Sequence, residues 1–204
     1  MLAALIGAGR TSAEVIDRVM AVVIVQPILL SDVNAAMLLG LVQPQLNAPD
    51  PIASVLDRLI ERQLMLAEVD RYQPPEPATQ AIDARVTEIE RRFGSPQKLD
   101  AVLAATGMSR DRLRQDIRDE LRIATYLNQR FGASAEPSDD DVLAYYREHQ
   151  SEFTSGGRPM PFEAAANVIR LRLGQQRRQT LINEWLAALR RRADVRVLYL
   201  GKQR

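Results

Sequence analysis

From Phe162 to about Asp194 the chain runs as FEAAANVIRLRLGQQRRQTLINEWLAALRRRAD, one very long, Arg-rich amphipathic helix. At about 1.5 Å rise per residue such a helix reaches roughly 50 Å. One small globular core does not need a rod of that length. A helix this long crosses between lobes or walls a groove, which favours a binding surface over a deep catalytic pocket. It is preceded by SDDDVLAYYREHQSEF, a capped helix, and by the short linker TSGGRPMP. A short apolar strand within Val195–Leu200 follows it.

The length of 204 residues allows one sizeable domain or two small lobes, with enough chain for a self-sufficient core. Hydrophobic residues make up 46% and charged residues 26%, ordinary for a globular chain, and no run approaches the roughly 20 apolar residues that span a bilayer. The low aromatic share, and two lysines (Lys98, Lys202) against many arginines, fit a GC-rich coding sequence.

The net charge of +1 is unevenly placed. Residues 158–204 carry eleven Arg/Lys against Glu163, Glu184 and Asp194, a balance of +8, and the rest of the chain balances at −7. Blocks of opposite sign attract each other in a fold; the alternative is a cationic face for an acidic partner or a membrane surface. There is no cysteine, which excludes disulfides, thiol nucleophiles and Cys-ligated metals. Leu2–Gly9 is apolar and Thr11-Ser12-Ala13 resembles a small-residue cleavage site. We read residues 1–13 as the tail of an export signal that starts upstream, with a disordered leader as the other reading.

The pattern after the leader is almost all α. Glu14–Ser31 reads as a β-hairpin from its β-branched apolar residues, although Ile24-Val25-Gln26-Pro27 lacks the Gly or Asn that a tight turn prefers. Ser31 is expected to cap a helix running to about Val42, with Asp32 in its first turn. Asp50-Pro51 caps a helix that runs to about Tyr72. Its first apolar face is Ile52, Val55, Leu56, Leu59, Ile60, Leu64 and Ala67, and Met65, Val69 and Tyr72 form a second stripe nearly opposite. Two such faces place this helix between other elements or expose one face to a ligand.

Further helices are expected over about Ala78–Phe93, ended by Gly94, and from Ser95-Pro96 to near Gly107. Another runs from Ser109 to Phe131, with Leu113, Ile117, Leu121, Ala124, Leu127 and Phe131 on one stripe. Ser138 and Asp141 form a capping box for the next. Trp185 with Leu181 and Leu189 is a packing stripe on the long helix. The fold class is mainly α, with a small β element from the N-terminal hairpin and the closing strand. Residues 14–136 form an N-terminal helical lobe that opens on the hairpin, and residues 137–204 complete the same core.

Residues able to carry chemistry are sparse. His149 is the only histidine, so a Cys/His pair or a His-rich zinc site is excluded. Asp139-Asp140-Asp141 sits at a helix N-terminus, where the macrodipole accounts for carboxylates without a metal. No glycine-rich phosphate loop follows a strand. Arg190-Arg191-Arg192 ends a helix and lacks the interleaved aromatics of a nucleic-acid surface. We expect no catalytic residue, cofactor, metal or nucleic-acid partner.

Five segments in order carry a resemblance: VIDRVMAVVIVQPILLSDV (15–33), VLDRLIERQLMLAEVDRY (55–72), MSRDRLRQDIRDELRIATYLNQRF (108–131), DDDVLAYYREHQSEF (139–153), and the closing helix and strand. Together they resemble the periplasmic SurA-type chaperones, whose core is related to the trigger-factor type of chaperone domain. The resemblance implies a multi-helix chaperone core in which Val195–Leu200 pairs with the opening hairpin. Many relatives carry one or two parvulin isomerase domains after the segment matching YYREHQSEF. Here only Thr154–Pro161 stands in that place, and the paired histidines and glycine-rich strand of a parvulin site have no counterpart.

The resemblance thus implies a periplasmic, ATP-independent binder of unfolded polypeptides, outer-membrane proteins above all, and not an isomerase. A parvulin-group prolyl isomerase and a helical interaction protein with one specific partner remain the alternatives. Adaptable apolar side chains suit the walls of such a cradle. The candidates for peptide binding are Met65, Val69, Tyr72, Met108, Tyr126 and Phe131, with core packing the competing role for each.

Overall fold

The computed structural model describes residues 17–155 and 158–201. The proposed leader, residues 1–13, lies outside the described residues, as does the start of the expected hairpin, Glu14–Ile16. The described chain opens with strands β1 (Val19–Val23) and β2 (Gln26–Leu29), followed by helices α1 (Leu30–Leu38), α2 (Pro51–Tyr72), α3 (Thr79–Phe93), α4 (Pro96–Thr106) and α5 (Arg110–Phe131). Then come α6 (Asp139–Glu148), the two-residue strands β3 (Thr154–Ser155) and β4 (Arg158–Pro159), α7 (Phe162–Arg192) and β5 (Val195–Val197). The fold is mainly α with a small antiparallel sheet.

That sheet has the order β2-β1-β5. β1 pairs with β2 across a two-residue loop, Val23 opposite Gln26, with an irregularity between Val19 and Ala21. β5 pairs with β1 in the register Ala21↔Val197, Val22↔Arg196 and Val23↔Val195, as the resemblance implies. An isolated hairpin is marginal in water; the third strand and the helices beneath supply what it lacks. Met20, Ala21 and Val23 are buried against α2.

The helix ends follow from their caps. The Asp50 carboxylate accepts from Ala53 N–H at 3.0 Å with Pro51 at the first position, and Ser109 Oγ accepts from Arg112 N–H at 3.1 Å. Ser138 and Asp141 cap reciprocally, at 3.2 and 2.9 Å. α1 differs from expectation. Leu29, not Ser31, is its N-cap, because Asp32 accepts from Leu29 N–H at 2.9 Å. Ser31 lies inside the first turn, where its hydroxyl donates to Asp17. α1 also stops at Leu38 rather than near Val42, as Gly40 takes φ 63° and turns the chain away. The linker after Phe153 is a miniature hairpin, β3 with β4.

Among the described residues, three apolar clusters organise the helices. The first lies under the sheet and joins α2, α5 and α7 through residues such as Val55, Ile60, Val69, Tyr126, Trp185 and Leu189. The second joins α1, α3, α4 and α5 around Leu39, Ile89, Leu99, Leu113 and Ile117. The third joins α6 and α7 around Val142, Phe153, Ala165 and Ile169. α7, about 46 Å long at the usual rise, belongs to the first cluster at its C-terminal end and to the third at its N-terminal end. α5 likewise bridges the first and second. Its buried stripe therefore shifts along the helix: Leu113 and Ile117 face one cluster, Ile123, Tyr126 and Phe131 the other, and Ala124 is exposed.

The opposite charge blocks meet. Arg170 pairs with Asp139 at 2.6 Å, Arg172 with Glu152 at 2.6 Å, Arg177 with Asp141 at 2.9 Å and Arg190 with Asp57 at 3.0 Å. These pairs are largely exposed, so solvent screening leaves each of them contributing little to stability. They orient α7 more than they stabilise it.

Candidate functional site

The concave feature best suited to a ligand is a groove of about 350 Å³ between β2, α1, α2 and the N-terminal part of α5. Its apolar wall comes from Ile28 and Leu29 on β2, Ala36 on α1, Leu41 and Val42 beyond it, Leu59 on α2, and Met108 just before α5. β2 is an edge strand, so its outer side borders the groove instead of another strand. Pro27 fits there because an edge position needs no N–H on the open side. Past Gln26, Arg62, Gln63, Arg112 and Asp116, which line both, the groove continues into a wider trough of about 590 Å³ overhung by Val23, Ile24 and Val25.

Charged residues hold the two helical walls together. Arg62 on α2 donates from Nη2 to the Asp116 backbone carbonyl at 3.0 Å and meets its carboxylate at 3.3 Å. Arg112 approaches the same carboxylate at 3.5 Å. Both members of the Arg62–Asp116 pair are mostly buried. Burial pushes the Asp116 carboxyl above its ordinary value, and Arg62 and then Arg112 oppose that shift. Further along α5, Arg122 is buried and pairs with Asp70 at 2.9 Å and with Asp119 and Glu76 at 3.5 Å. The groove thus has an apolar side and a rim of paired charges, suited to binding an apolar segment with a polar backbone.

The six expected peptide-binding residues separate. Met108 lines the groove. Val69, Tyr126 and Phe131 are core residues, at 0%, 5% and 8% exposure, the competing role expected for them. Met65 packs partly buried against the same core, and Tyr72 is exposed at the end of α2. The physical reason is an aromatic row that welds three helices. Tyr72 lies 5.6 Å from Tyr126, Tyr126 5.7 Å from Trp185, and Trp185 5.6 Å from Phe131, ring centre to ring centre. α2 is accordingly packed on both apolar faces. Of its first stripe, Ala67 is exposed and Leu59 turns to the groove.

His149 closes α6. Its ring stacks on Tyr145 with centres 4.0 Å apart, and Nδ1 lies 3.0 Å from the Tyr145 carbonyl, a distance at which a protonated Nδ1 donates. It lies on Tyr145, at the border of the third cluster, and does not line the groove. Among the described residues, no group of three or more His, Asp or Glu is placed to hold a metal ion. No helix among them is long and apolar enough to cross a membrane.

The sequence reading missed Arg62, Asp116, Leu41 and Val42. Leu41 and Val42 were assigned to a helix that in fact ends before them. Arg62 and Asp116 are far apart in the chain, and no local pattern announces their contact. No protein-family model matches the chain, and neither does any curated protein.

Proposed function

We propose that this chain is a periplasmic, ATP-independent chaperone core of the SurA type. It holds unfolded segments of exported proteins, outer-membrane proteins foremost, and performs no chemistry on them. The observation that carries this is the groove itself: an apolar wall of Ile28, Leu29, Leu41, Val42, Leu59 and Met108 beside a rim of paired charges, bounded by helices and by the outer edge of β2. An extended client presents apolar side chains in many spacings, and a wall of adaptable apolar residues meets them without demanding one shape. The pairing of β1 with β5 is a second support, since the resemblance implies it. His149 offers no support for isomerase chemistry, because its ring is engaged at the end of α6.

The test is suppression of aggregation of a urea-unfolded outer-membrane barrel diluted into buffer. Met108→Glu places a charge in the apolar wall and should weaken holding several-fold while the melting temperature stays near the parent's. Full holding by a folded Met108→Glu variant would remove the groove from the mechanism. Failure of the parent to suppress aggregation of any unfolded client would remove the chaperone function.

A further inference from the structure

The tip of the first hairpin is built against the local rules. Ile24 and Val25 form its two-residue loop, and Ile24 holds φ 61°. That left-handed conformation is costly for an L-residue and worst for a β-branched one, and loops of this kind take Gly there. Yet the loop carries two large aliphatic side chains, 46% and 76% exposed. Neither local conformation nor burial explains them.

A second observation lies beside the first. Ile24 N–H donates to the Asp194 carbonyl at 2.7 Å, so the tip is fixed to the junction between α7 and β5. Just before that junction stand Arg190, Arg191 and Arg192. The nearby acids are already matched, Asp57 by Arg190 at 3.0 Å and Asp194 by Arg196 at 3.2 Å. Arg191 and Arg192 are exposed, and among the described residues neither forms an ion pair.

We propose that this tip is a membrane-surface anchor, with Ile24 and Val25 entering the interfacial layer of an anionic bilayer and Arg191 and Arg192 meeting its headgroups. The shape favours a bilayer over a protein partner. A stable protein interface buries about 800 Å² on each side with matched relief, whereas two side chains on a projection offer little relief to match. A bilayer takes protruding apolar groups singly, and its diffuse negative charge needs no fixed geometry. Two aliphatic groups and two cations give weak, reversible and salt-sensitive attachment. This goes beyond client holding, which uses the apolar wall around Met108; Ile24 and Val25 overhang only the wider end of the groove.

The experiment is co-sedimentation of the full chain with vesicles of equal phosphatidylglycerol and phosphatidylcholine, compared with pure phosphatidylcholine, at low and high salt. Expected are binding to the anionic vesicles only and release by salt. Arg191→Ser and Arg192→Ser should weaken it about fivefold per arginine, and Val25→Asp at least as much, with melting temperatures unchanged. Aggregation suppression is measured on the same preparations. The arginine variants should keep it, and Met108→Glu should keep vesicle binding, so failure of the anchor and failure of the chaperone function are distinguishable. Equal binding to neutral vesicles, no binding to either, or arginine variants that bind like the parent would overturn the anchor. Capture by an acidic polypeptide such as polyglutamate in place of vesicles would overturn it in favour of a protein partner.

Discussion

Ile24 and Asp194 are joined by a 2.7 Å hydrogen bond between the hairpin tip and the end of the longest helix. The bond continues the β1–β5 ladder one step past Val23↔Val195. It helps keep Ile24 at φ 61°, where an L-residue is disfavoured by about 1–2 kcal/mol.

Ile24→Gly should therefore stabilise the chain. Relief of the left-handed conformation exceeds the extra freedom that Gly has when unfolded, about 0.5–1 kcal/mol. The expected net gain is about 0.5–1 kcal/mol, a rise of roughly 1–4 °C in melting temperature, read by thermal scanning. A lower melting temperature would mean that the Ile24 side chain contributes packing that its exposure does not suggest.

Val69 and Tyr72 separate core from surface on one helix. Val69→Ser places a hydroxyl in a fully buried site and should cost about 2–4 kcal/mol in urea unfolding. Tyr72→Ser loses one aromatic contact, with Tyr126, and should cost about 1 kcal/mol or less. Equal costs would contradict the burial difference.

Gly132 ends α5. A Cβ added there would stand 2.5 Å from the Asn128 carbonyl oxygen, a backbone atom that cannot rotate aside. Gly132→Ala should lower stability by about 1–3 kcal/mol, measured by urea titration.

Asp116 supplies a pH signature. Burial raises its carboxyl in the folded chain, so the folded state holds the proton more tightly than the unfolded state does. Its contribution is then most favourable below the unfolded value and declines as pH rises through the window up to the folded value. Replacing it by Asn removes that decline. The stability of Asp116→Asn relative to the parent should increase as pH rises through the ordinary aspartate range and beyond it. A relative stability that falls over this window would show that Arg62 outweighs burial.

A protease-coupled proline peptide assay addresses the alternative activity. Uncatalysed isomerisation takes tens to hundreds of seconds, so modest catalysis would be visible. We expect none, and no change on His149→Ala; acceleration that survives repurification would favour an isomerase.

The helices were legible because their boundaries are local. Asp50-Pro51, Ser95-Pro96, Ser109 and Ser138 announce starts, and Gly94 and Gly107 announce ends. The pairing of the opening and closing strands was legible only through the family resemblance and the strands' lonely apolar character. The groove was not legible. Its apolar wall joins residues of the stretch 28–42 to the distant Leu59 and Met108, and its charged rim depends on Arg62 meeting Asp116, which periodicity cannot foresee. Tyr126 and Phe131 were not separable from client-facing residues, because adaptable apolar residues look alike whether they meet a client or one another. Only the third dimension shows that Trp185 completes their row.

β1 lies between β2, which follows it at once, and β5, the last strand of the described chain. On a ribosome, the wait between the two partners is on the order of ten to thirty seconds at ordinary elongation rates. Throughout that interval one edge of β1 is open, and the first core cluster lacks Trp185 and Leu189. Synthesis order thus opposes early closure. The sheet and the first cluster can be completed only once β5 has emerged, whereas the second cluster, built from residues before α6, needs no later segment.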